Sequence, residues 1–434
     1  MSAVTIGIIG ILFLFLLLAM RMQIGFSMAL VGFLGFAILG SIKPSFAILG
    51  MEPFKIGAAY SLTVIPLFIL MGQFANYSRM GFEIYQTVYK WIGYLPGGLS
   101  MATIGACGGF AAISGSSLAA AATMGMVALP EMKRFKYDDS LATGCIAAGG
   151  TLGILIPPST VMIIYGILTE QPIATLFIAG ILPGILLGVL FMLSIYIMAK
   201  LKPALGPPGP RFTIKERIYS LKDTWSILCL FLLVIGGLYT GWFTPTEAAG
   251  VGAFGAFVIT IIKRRLTWDN LTNSLADTTR TTAMVFLILI GAHILGYFLA
   301  ISQIPDQLSI LAAESGLNRY IVLAILIFAY IVLGCFMEGL AIMVLTIPIV
   351  YPMVLDMGFD PIWFGVIITL VMEMSLITPP VGINVFIISG IAKEVPMYTI
   401  FRGILPFWFA MLVCIILLVI FPQIALFLPL TMTN

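Results

Sequence analysis

Long apolar runs separated by short polar interruptions make up most of the chain. The first, "MSAVTIGIIGILFLFLLLAM" (Met1–Met20), has the ~20 residues a helix needs to cross hydrocarbon. It lacks the basic n-region and small-residue cleavage site of a signal peptide, so a retained first helix is expected. Trp225–Trp242 and Thr246–Ile262 read as two further spans. The alternating-polarity segments of a membrane β-barrel are absent. Two runs carry interruptions that a spanning helix should avoid: Pro157-Pro158 in "GILIPPSTVMIIYG" and Pro379-Pro380 in "LITPPVGINVFIISG". A proline inside a helix removes a donor and clashes with the preceding turn, and in hydrocarbon the freed carbonyls find no water. Broken helices are therefore expected near 150–166 and 373–390.

Ahead of each break lies a second irregular segment. "GACGGFAAISGSSLAAAATMGMVALPEM" (Gly105–Met132) has Ser114, Gly115, Ser116 and Ser117 in its middle. The parts on either side are each too short for a full span of ~20 residues. Two half-length helices meeting at a Ser/Gly tip, a re-entrant hairpin over 105–132, are expected. Such a tip offers hydroxyls and backbone amides to a carboxylate or a cation. "GCFMEGLAIMVLTIPI" (Gly334–Ile349) places Glu338 and Gly339 at the tip of a second hairpin, near 334–355. A carboxylate at membrane depth defaults to a functional hypothesis. Glu338 either helps to hold a cation or reaches water at the tip, and Glu373 in "VMEMSLITPP" poses the same question. Thr151, Ser159 and Thr160 flank the first break; Ser375, Thr378 and Asn384 flank the second. Their hydroxyl and amide oxygens, with backbone carbonyls, suit a hard monovalent cation.

The interruptions form a register. Pro157-Pro158 and Pro379-Pro380 are 222 positions apart; Gly115 and Gly339, Gly166 and Gly390, Pro172 and Pro396 are each 224 apart; "GILP" occurs at Gly180 and again at Gly403, 223 apart. An ordered series of this kind marks an internal repeat. Its boundary is the Pro/Gly-rich linker 200–223, whose Lys200, Lys202, Arg211, Lys215, Arg217 and Lys222 make it cytoplasmic by the positive-inside rule. The repeats are then 1–199 and 224–434. Two spans further on, Lys263–Arg265 are basic again, which agrees with a return to the same face. Both termini lack basic side chains and are placed outside. Each half thus makes an odd net number of crossings in opposite senses, so the repeat is inverted. Inverted repeats with matched broken helices characterise secondary transporters and point at the substrate site.

Composition removes the soluble alternatives. The 434 residues are 61% hydrophobic and 9% charged, against about 25% charged for a soluble domain. The chain reads as an all-α polytopic membrane protein in a lipid bilayer, with no nucleic-acid partner. Cys107, Cys145, Cys229, Cys335 and Cys414 lie in apolar segments without metal-type spacing and read as core residues. His293 reads as a packed polar residue. "KRFKYDD" (Lys133–Asp139) reads as a cytoplasmic loop. In "WFTPTEAAG" (Trp242–Gly250), Pro245 opens a helix that Thr244 or Thr246 caps.

The ordered set "AAISGSSLAAAATMG", "GTLGILIPPST", "FTPTEAAG", "FMEGLAIMVLTIPI" and "ITPPVGINVF" resembles the large membrane subunit of a tripartite ATP-independent periplasmic (TRAP) transporter over nearly the whole chain. The resemblance implies a Na⁺-coupled importer of organic acids (a C4-dicarboxylate, sialic acid or a similar carboxylate) in a bacterial or archaeal inner membrane. It implies no resident cofactor. A periplasmic substrate-binding protein delivers the substrate, and a small four-helix membrane subunit completes the complex, here expected as a separate polypeptide. It implies an elevator in which two hairpins and two broken helices move against a scaffold. Carried over by motif, one Na⁺ site lies between Ser114–Ser117 (Ser114 and Ser116) and the Gly153–Ser159 break, with Gly153 and Pro157. The other lies between Gly334–Gly339 (Gly334, Glu338 and Gly339) and Thr378–Asn384, with Thr378 and Pro379. The substrate carboxylate sits between them, near Ser114, Gly115, Ser116, Ser117, Ser159, Gly339, Gly382 and Asn384.

Three alternatives remain at this point. A one-component carboxylate carrier would need no binding protein. A channel would be expected to show rings of like charge, which are lacking. An intramembrane serine protease would need glycine after Ser117, where Leu118 stands. No GxxxxGK[ST] phosphate loop is present, so ATP hydrolysis by this chain is not expected.

Overall fold

The structure is a computed structural model and describes residues 2–335 and 337–432; Phe336, beside the second expected tip, lies outside the described residues. Those residues form helices and connecting turns, with no strand among them. The first half comprises α1 (Ala3–Ala19), α2 (Ile24–Leu39), α3 (Ile42–Gly57), α4 (Val64–Tyr77), α5 (Met80–Ile92), α6 (Gly98–Ser114), α7 (Ser117–Arg134), α8 (Asp139–Gly150), α9 (Leu152–Leu155), α10 (Thr160–Thr169) and α11 (Ile173–Leu201). The second comprises α12 (Ile214–Tyr239), α13 (Pro245–Ile262), α14 (Trp268–Ser302), α15 (Ile304–Glu314), α16 (Arg319–Gly334), α17 (Gly339–Asp356), α18 (Pro361–Ser375), α19 (Ile383–Ile391), α20 (Met397–Ile420) and α21 (Gln423–Leu430). Among the described residues six helices are long and apolar enough to cross a membrane, or up to eight if each of two bent pairs is one span.

The offset found in the sequence continues in the backbone. Arg79 and Gln303, 224 positions apart, both take left-handed conformations (φ 61° and 59°) where one helix hands over to the next. Lys136 and Gly358, 222 apart, do the same (φ 56° and 74°) after α7 and α17. Two residues later Asp138 and Asp360 cap α8 and α18, accepting from the amides of Ser140 and Trp363. Such caps satisfy donors that a helix start leaves orphaned.

The helices assemble into two bundles, each drawn from both halves. In one, α2 packs along α14 and α13 along α4, with α1, α3 and α12 around them, while α5 and α15 border both groups, α5 against α6 and α12 and α15 chiefly against α17. In the other, α7 packs against α19 and α17 against α10, enclosed by α6, α8, α9, α11, α16, α18, α20 and α21. The pairings are reciprocal: each element meets the counterpart of its own partner in the other half. Small residues set the closeness. A Cβ on Gly32 of α2 would lie 2.6 Å from the backbone nitrogen of Leu295 in α14, the close approach that membrane helices use where water supplies no driving force.

Some elements differ from the sequence expectation. The arms α6 and α7 are 17 and 18 residues long, nearly full spans rather than half-length helices, because α6 starts at Gly98 in an apolar stretch upstream of Gly105. Helix α12 begins at Ile214, inside the segment read as linker, where Thr213 and Glu216 form a reciprocal capping box. Thr244, not Thr246, caps α13, with Glu247 as its partner. Four cysteines are buried, but Cys229 is exposed on α12. His293 lies with Nδ1 3.5 Å from Oε2 of the buried Glu52, whose Oε1 accepts from the Tyr297 hydroxyl at 3.0 Å.

Lys133, at the end of α7, donates to Glu394 Oε2 beyond α19 at 2.8 Å, tying the first half to the second. The hydrogen bond from Lys133, and then its charge, hold the exposed Glu394 carboxyl below the usual carboxylate range. A depressed pKa in the folded state contributes stability above the ordinary carboxylate pKa and loses it as pH falls through the folded value. The pair is exposed, so its contribution is small. Glu394→Gln should lower the thermal midpoint slightly at neutral pH, and the difference from the unmodified protein should vanish on acidification. A difference that persists in acid would show that another interaction was removed.

Candidate functional site

The first tip seats on the first break. Gly115 turns the chain with φ +59°, where a side chain is strained, and a Cβ there would lie 2.6 Å from the Pro158 carbonyl oxygen. Ser116 caps α7 by accepting from the Ala119 amide at 3.3 Å. Ser159 caps α10 by accepting from the Met162 amide at 3.2 Å. Thr160 Oγ1 donates to the Gly115 carbonyl at 3.3 Å. A Cβ on Gly153 would lie 2.7 Å from the Ser116 carbonyl oxygen. The segment from α8 to α10 bends by 40° at this break. Two helix starts, α7 and α10, and the carbonyls of Ser116 and Pro158 are thereby brought together.

The second tip seats on the second break. Gly334, at the end of α16, abuts Ser375 of α18 so closely that a Cβ would overlap its side chain. Cys335 Sγ donates to the Pro379 carbonyl at 3.2 Å. Thr378 Oγ1 donates to the Met374 carbonyl at 2.7 Å and accepts from Trp408 Nε1 at 3.0 Å. Gly382 opens α19 with φ +59°. Asn384 Nδ2 donates to the Ala147 carbonyl of α8 at 3.3 Å, so this break is anchored on the first half.

Both tips then meet at one cavity of about 290 Å³. Of the residues expected at a site, Ser114, Gly115, Ser116, Ser117, Glu338 and Gly339 line it, as do Thr160 and Glu373. Gly153, Pro157, Ser159, Gly334, Thr378, Pro379, Gly382 and Asn384 are not among the lining residues. They lie at the junctions of the tips with the two breaks. The sequence reasoning missed the outer wall: Gln73 and Asn76 of α4 and Thr281 of α14. A signal existed, because Gln73 and Asn76 are three residues apart in the apolar run "IPLFILMGQFANY" and so share a helix face. Asn76 Oδ1 accepts from Thr123 Oγ1 of α7 at 3.1 Å, and a Cβ on Gly72 would lie 2.9 Å from the Ser114 carbonyl. Helix α4 therefore closes directly on the first tip.

The chemistry is that of hard oxygen donors. Ser114 Oγ, Ser117 Oγ, Glu373 Oε2 and Asn384 Oδ1 are buried without a hydrogen-bond partner. Buried polar atoms are ordinarily satisfied, so the three of them that line the cavity, on Ser114, Ser117 and Glu373, mark a place where something polar binds. Hydroxyl, carbonyl and carboxylate oxygens suit a monovalent cation or the hydrogens of a polar solute, and the starts of α7 and α17 present amides toward the same space.

Comparison with known proteins agrees with this architecture. Residues 11–424 match the family described as "Tripartite ATP-independent periplasmic transporter, DctM component". The chain is 37% identical over 383 residues to the C4-dicarboxylate TRAP transporter large permease protein DctM of Pseudomonas aeruginosa, covering 88% of this chain and 89% of that one. It is 31% identical over 416 residues to the sialic acid TRAP transporter large permease protein SiaM of Vibrio cholerae, covering 95% and 96%. Among solved structures, the YdaH transporter of Alcanivorax borkumensis superposes with a TM-score of 0.66 at 13% identity, over 90% of this chain and 88% of that one, a likeness of fold. With the family profile spanning nearly the whole length, the chain belongs to the DctM component family of tripartite ATP-independent periplasmic transporters, as a large permease subunit and not an enzyme.

Proposed function

We propose that this permease imports an organic acid across the inner membrane by Na⁺ coupling, receiving it from a periplasmic binding protein. The observation that carries the reading is the convergence of two tips, each seated on a broken helix, upon one cavity with orphaned oxygens. Relatives named for C4-dicarboxylate and sialic acid transport support the organic-acid class. Family membership implies the binding protein and a small membrane subunit, which we take as a four-helix protein that enlarges the bundle of α1–α4 and α12–α14. The bundle holding the hairpins and breaks is then the moving part of an elevator.

An inverted repeat is supported by the reciprocal packing of the halves and by charge. Arm α7 ends at Lys133 and Arg134, whereas the matching arm α17 ends at Asp356. Read by the positive-inside rule, the basic end of α7 lies on the cytoplasmic side and the end of α17 on the other, in keeping with an arrangement that has both termini in the periplasm. The Na⁺ ions are substrates of the cycle. One is held between Ser114, Ser116 and the Gly153–Pro157 segment; the other lies between Gly334, Glu338, Gly339 and the Thr378–Pro379 segment. One charge crossing 100 mV is worth ~2.3 kcal/mol, so two ions supply several kcal/mol per substrate without ATP. The substrate's carboxylate lies in the cavity between the tips, near Ser114, Gly115, Ser116, Ser117 and Gly339, with Ser159, Gly382 and Asn384 behind them at the breaks.

Proteoliposomes holding this chain with its small subunit should take up a labelled organic acid only with an inward Na⁺ gradient and a loaded binding protein. Na⁺-dependent uptake that needs no binding protein would favour a one-component carrier. Equal uptake with and without Na⁺ would overturn the coupling.

A further inference from the structure

A cavity of about 610 Å³ lies away from the tips, at the elbow between α4 and α5. Four basic side chains line it: Arg79 in the elbow, Lys90 on α5, and Lys263 and Arg265 just after α13. Two carboxylates, Glu83 on α5 and Asp223 on α12, line it as well. Lys263 donates to Glu83, so that pair is neutral. Among the described residues, Arg79, Lys90 and Arg265 make no ion pair and no side-chain hydrogen bond, and only Asp223 stands against them. The positive-inside rule accounts for basic residues on this face, but it does not by itself gather them around one hollow.

The internal repeat supplies a comparison within the molecule. At the offset of 224, Arg79, Lys90, Lys263 and Arg265 correspond to Gln303, Glu314, Leu39 and Ser41. The two elbows share their backbone, with φ 61° at Arg79 and 59° at Gln303, but only the first carries the positive charge. The proposed topology puts that elbow on the cytoplasmic side, where the leaflet surface is negative and basic pockets between helices take lipid headgroups. Its level in the bilayer is marked by Trp91, Trp225 and Trp268, which follow Lys90, Asp223 and Arg265 within three residues and are all exposed. Exposed tryptophans gather where hydrocarbon meets headgroups. Phe82, which lines the cavity, and Ile262, next to Lys263, are exposed too. They offer apolar surface that an acyl chain can use and a free phosphate cannot. Guanidinium groups match phosphate oxygens with paired hydrogen bonds. Resting on the proposed cytoplasmic placement of this elbow, we infer that the cavity holds the phosphate headgroup of an anionic phospholipid. Arg79, Lys90 and Arg265 clasp it between the ends of α4 and α13 and one face of α5.

The test uses the purified complex of the chain with its small subunit, stripped of lipid in an uncharged detergent. Its thermal midpoint is titrated with phosphatidylglycerol, with phosphatidylcholine of the same acyl chains, and with glycerol 3-phosphate. Phosphatidylglycerol should reach half-maximal stabilisation at a concentration at least about tenfold lower than phosphatidylcholine, and glycerol 3-phosphate should give no shift over that range. Arg79→Gln places at the first elbow the residue that the second elbow carries at the same φ. It should raise the phosphatidylglycerol concentration needed about fivefold, the effect of one basic group beside an anionic surface, and leave phosphatidylcholine unchanged. Arg265→Gln should do the same and serves if Arg79→Gln does not fold. Lys200→Gln and Lys215→Gln remove basic groups that do not line the cavity and should change nothing. Equal stabilisation by the two lipids, or an equal loss of the preference in the Lys200 and Lys215 variants, would overturn the inference. Stabilisation by glycerol 3-phosphate at the concentrations where phosphatidylglycerol acts would overturn the lipid as occupant in favour of a soluble phosphate. Placement is read separately: Arg265→Cys in a Cys229→Ser background should resist a membrane-impermeant thiol reagent applied from the periplasmic side. Labelling there would overturn the leaflet and the proposed topology with it, while the lipid titration tests the site itself.

Discussion

Gly153→Ala is expected to lower Na⁺-dependent uptake at least about tenfold, equivalent to ~1.4 kcal/mol, while the protein still inserts and purifies. The added methyl would lie 2.7 Å from the Ser116 carbonyl oxygen and 2.9 Å from Ser117 Cα. Those neighbours are backbone, so relief must come from the tip lifting off the break. That movement would separate the Ser116 carbonyl and the start of α7 from the start of α10 and alter the hydrogen bond from Thr160 to Gly115. A Na⁺ site assembled from these parts would be spoiled first. The Na⁺ concentration for half-maximal uptake should rise before substrate affinity changes, and wild-type Na⁺ dependence in this variant would remove the first break from the coupling site.

Oxidation of an Asn76→Cys, Thr123→Cys double variant should reduce uptake to background, and a reductant should restore it. The two side chains are hydrogen-bonded at 3.1 Å, one on α4 and the other on α7. Helix α4 belongs to the bundle built on α2, α13 and α14, and α7 to the bundle carrying both tips and both breaks. If the second bundle must slide past the first in every cycle, a covalent bond between them stops transport. A cross-link between Lys133→Cys and Glu394→Cys is the control, because both ends lie in the bundle with the hairpins. Made with a bifunctional thiol reagent long enough to span the two side chains it replaces, this link should leave transport intact. Full uptake by the oxidised Asn76–Thr123 pair would exclude sliding at this contact.

What the sequence disclosed about the site follows from the range of the signals. Two adjacent prolines in an apolar run are a local anomaly, and so is a Ser-Gly-Ser-Ser cluster between alanines. Both are visible in a short window, and both lie where the tips and breaks meet. The wall contributed by Gln73, Asn76 and Thr281 was not visible in that way. It is set by which face of α4 and α14 meets the tips, and that depends on packing between helices about 200 residues apart in the chain. Glu52 is a similar case. Its carboxylate is buried at 3% exposure in α3, and its partners Tyr297 and His293 come from α14. The start of α6 was missed because the hairpin was expected from Gly105, whereas Gly97 at φ +71° is the turn that launches the helix. The fold class needed only composition and run length, while the arrangement into two interleaved bundles needed three dimensions.

The reciprocal packing of α2 on α14 and α13 on α4 also bears on how the protein is made. Helix α2 is complete at residue 39, but the α14 surface that covers Gly25 and Gly32 ends at residue 302. At ~5–20 residues per second of synthesis, the first half waits tens of seconds in the bilayer with its glycine-lined groove facing lipid. Neither half can close its own interior, so assembly is delayed until most of the polypeptide has left the ribosome. Whatever shields that groove meanwhile, lipid or an insertion factor, must let go when α14 arrives.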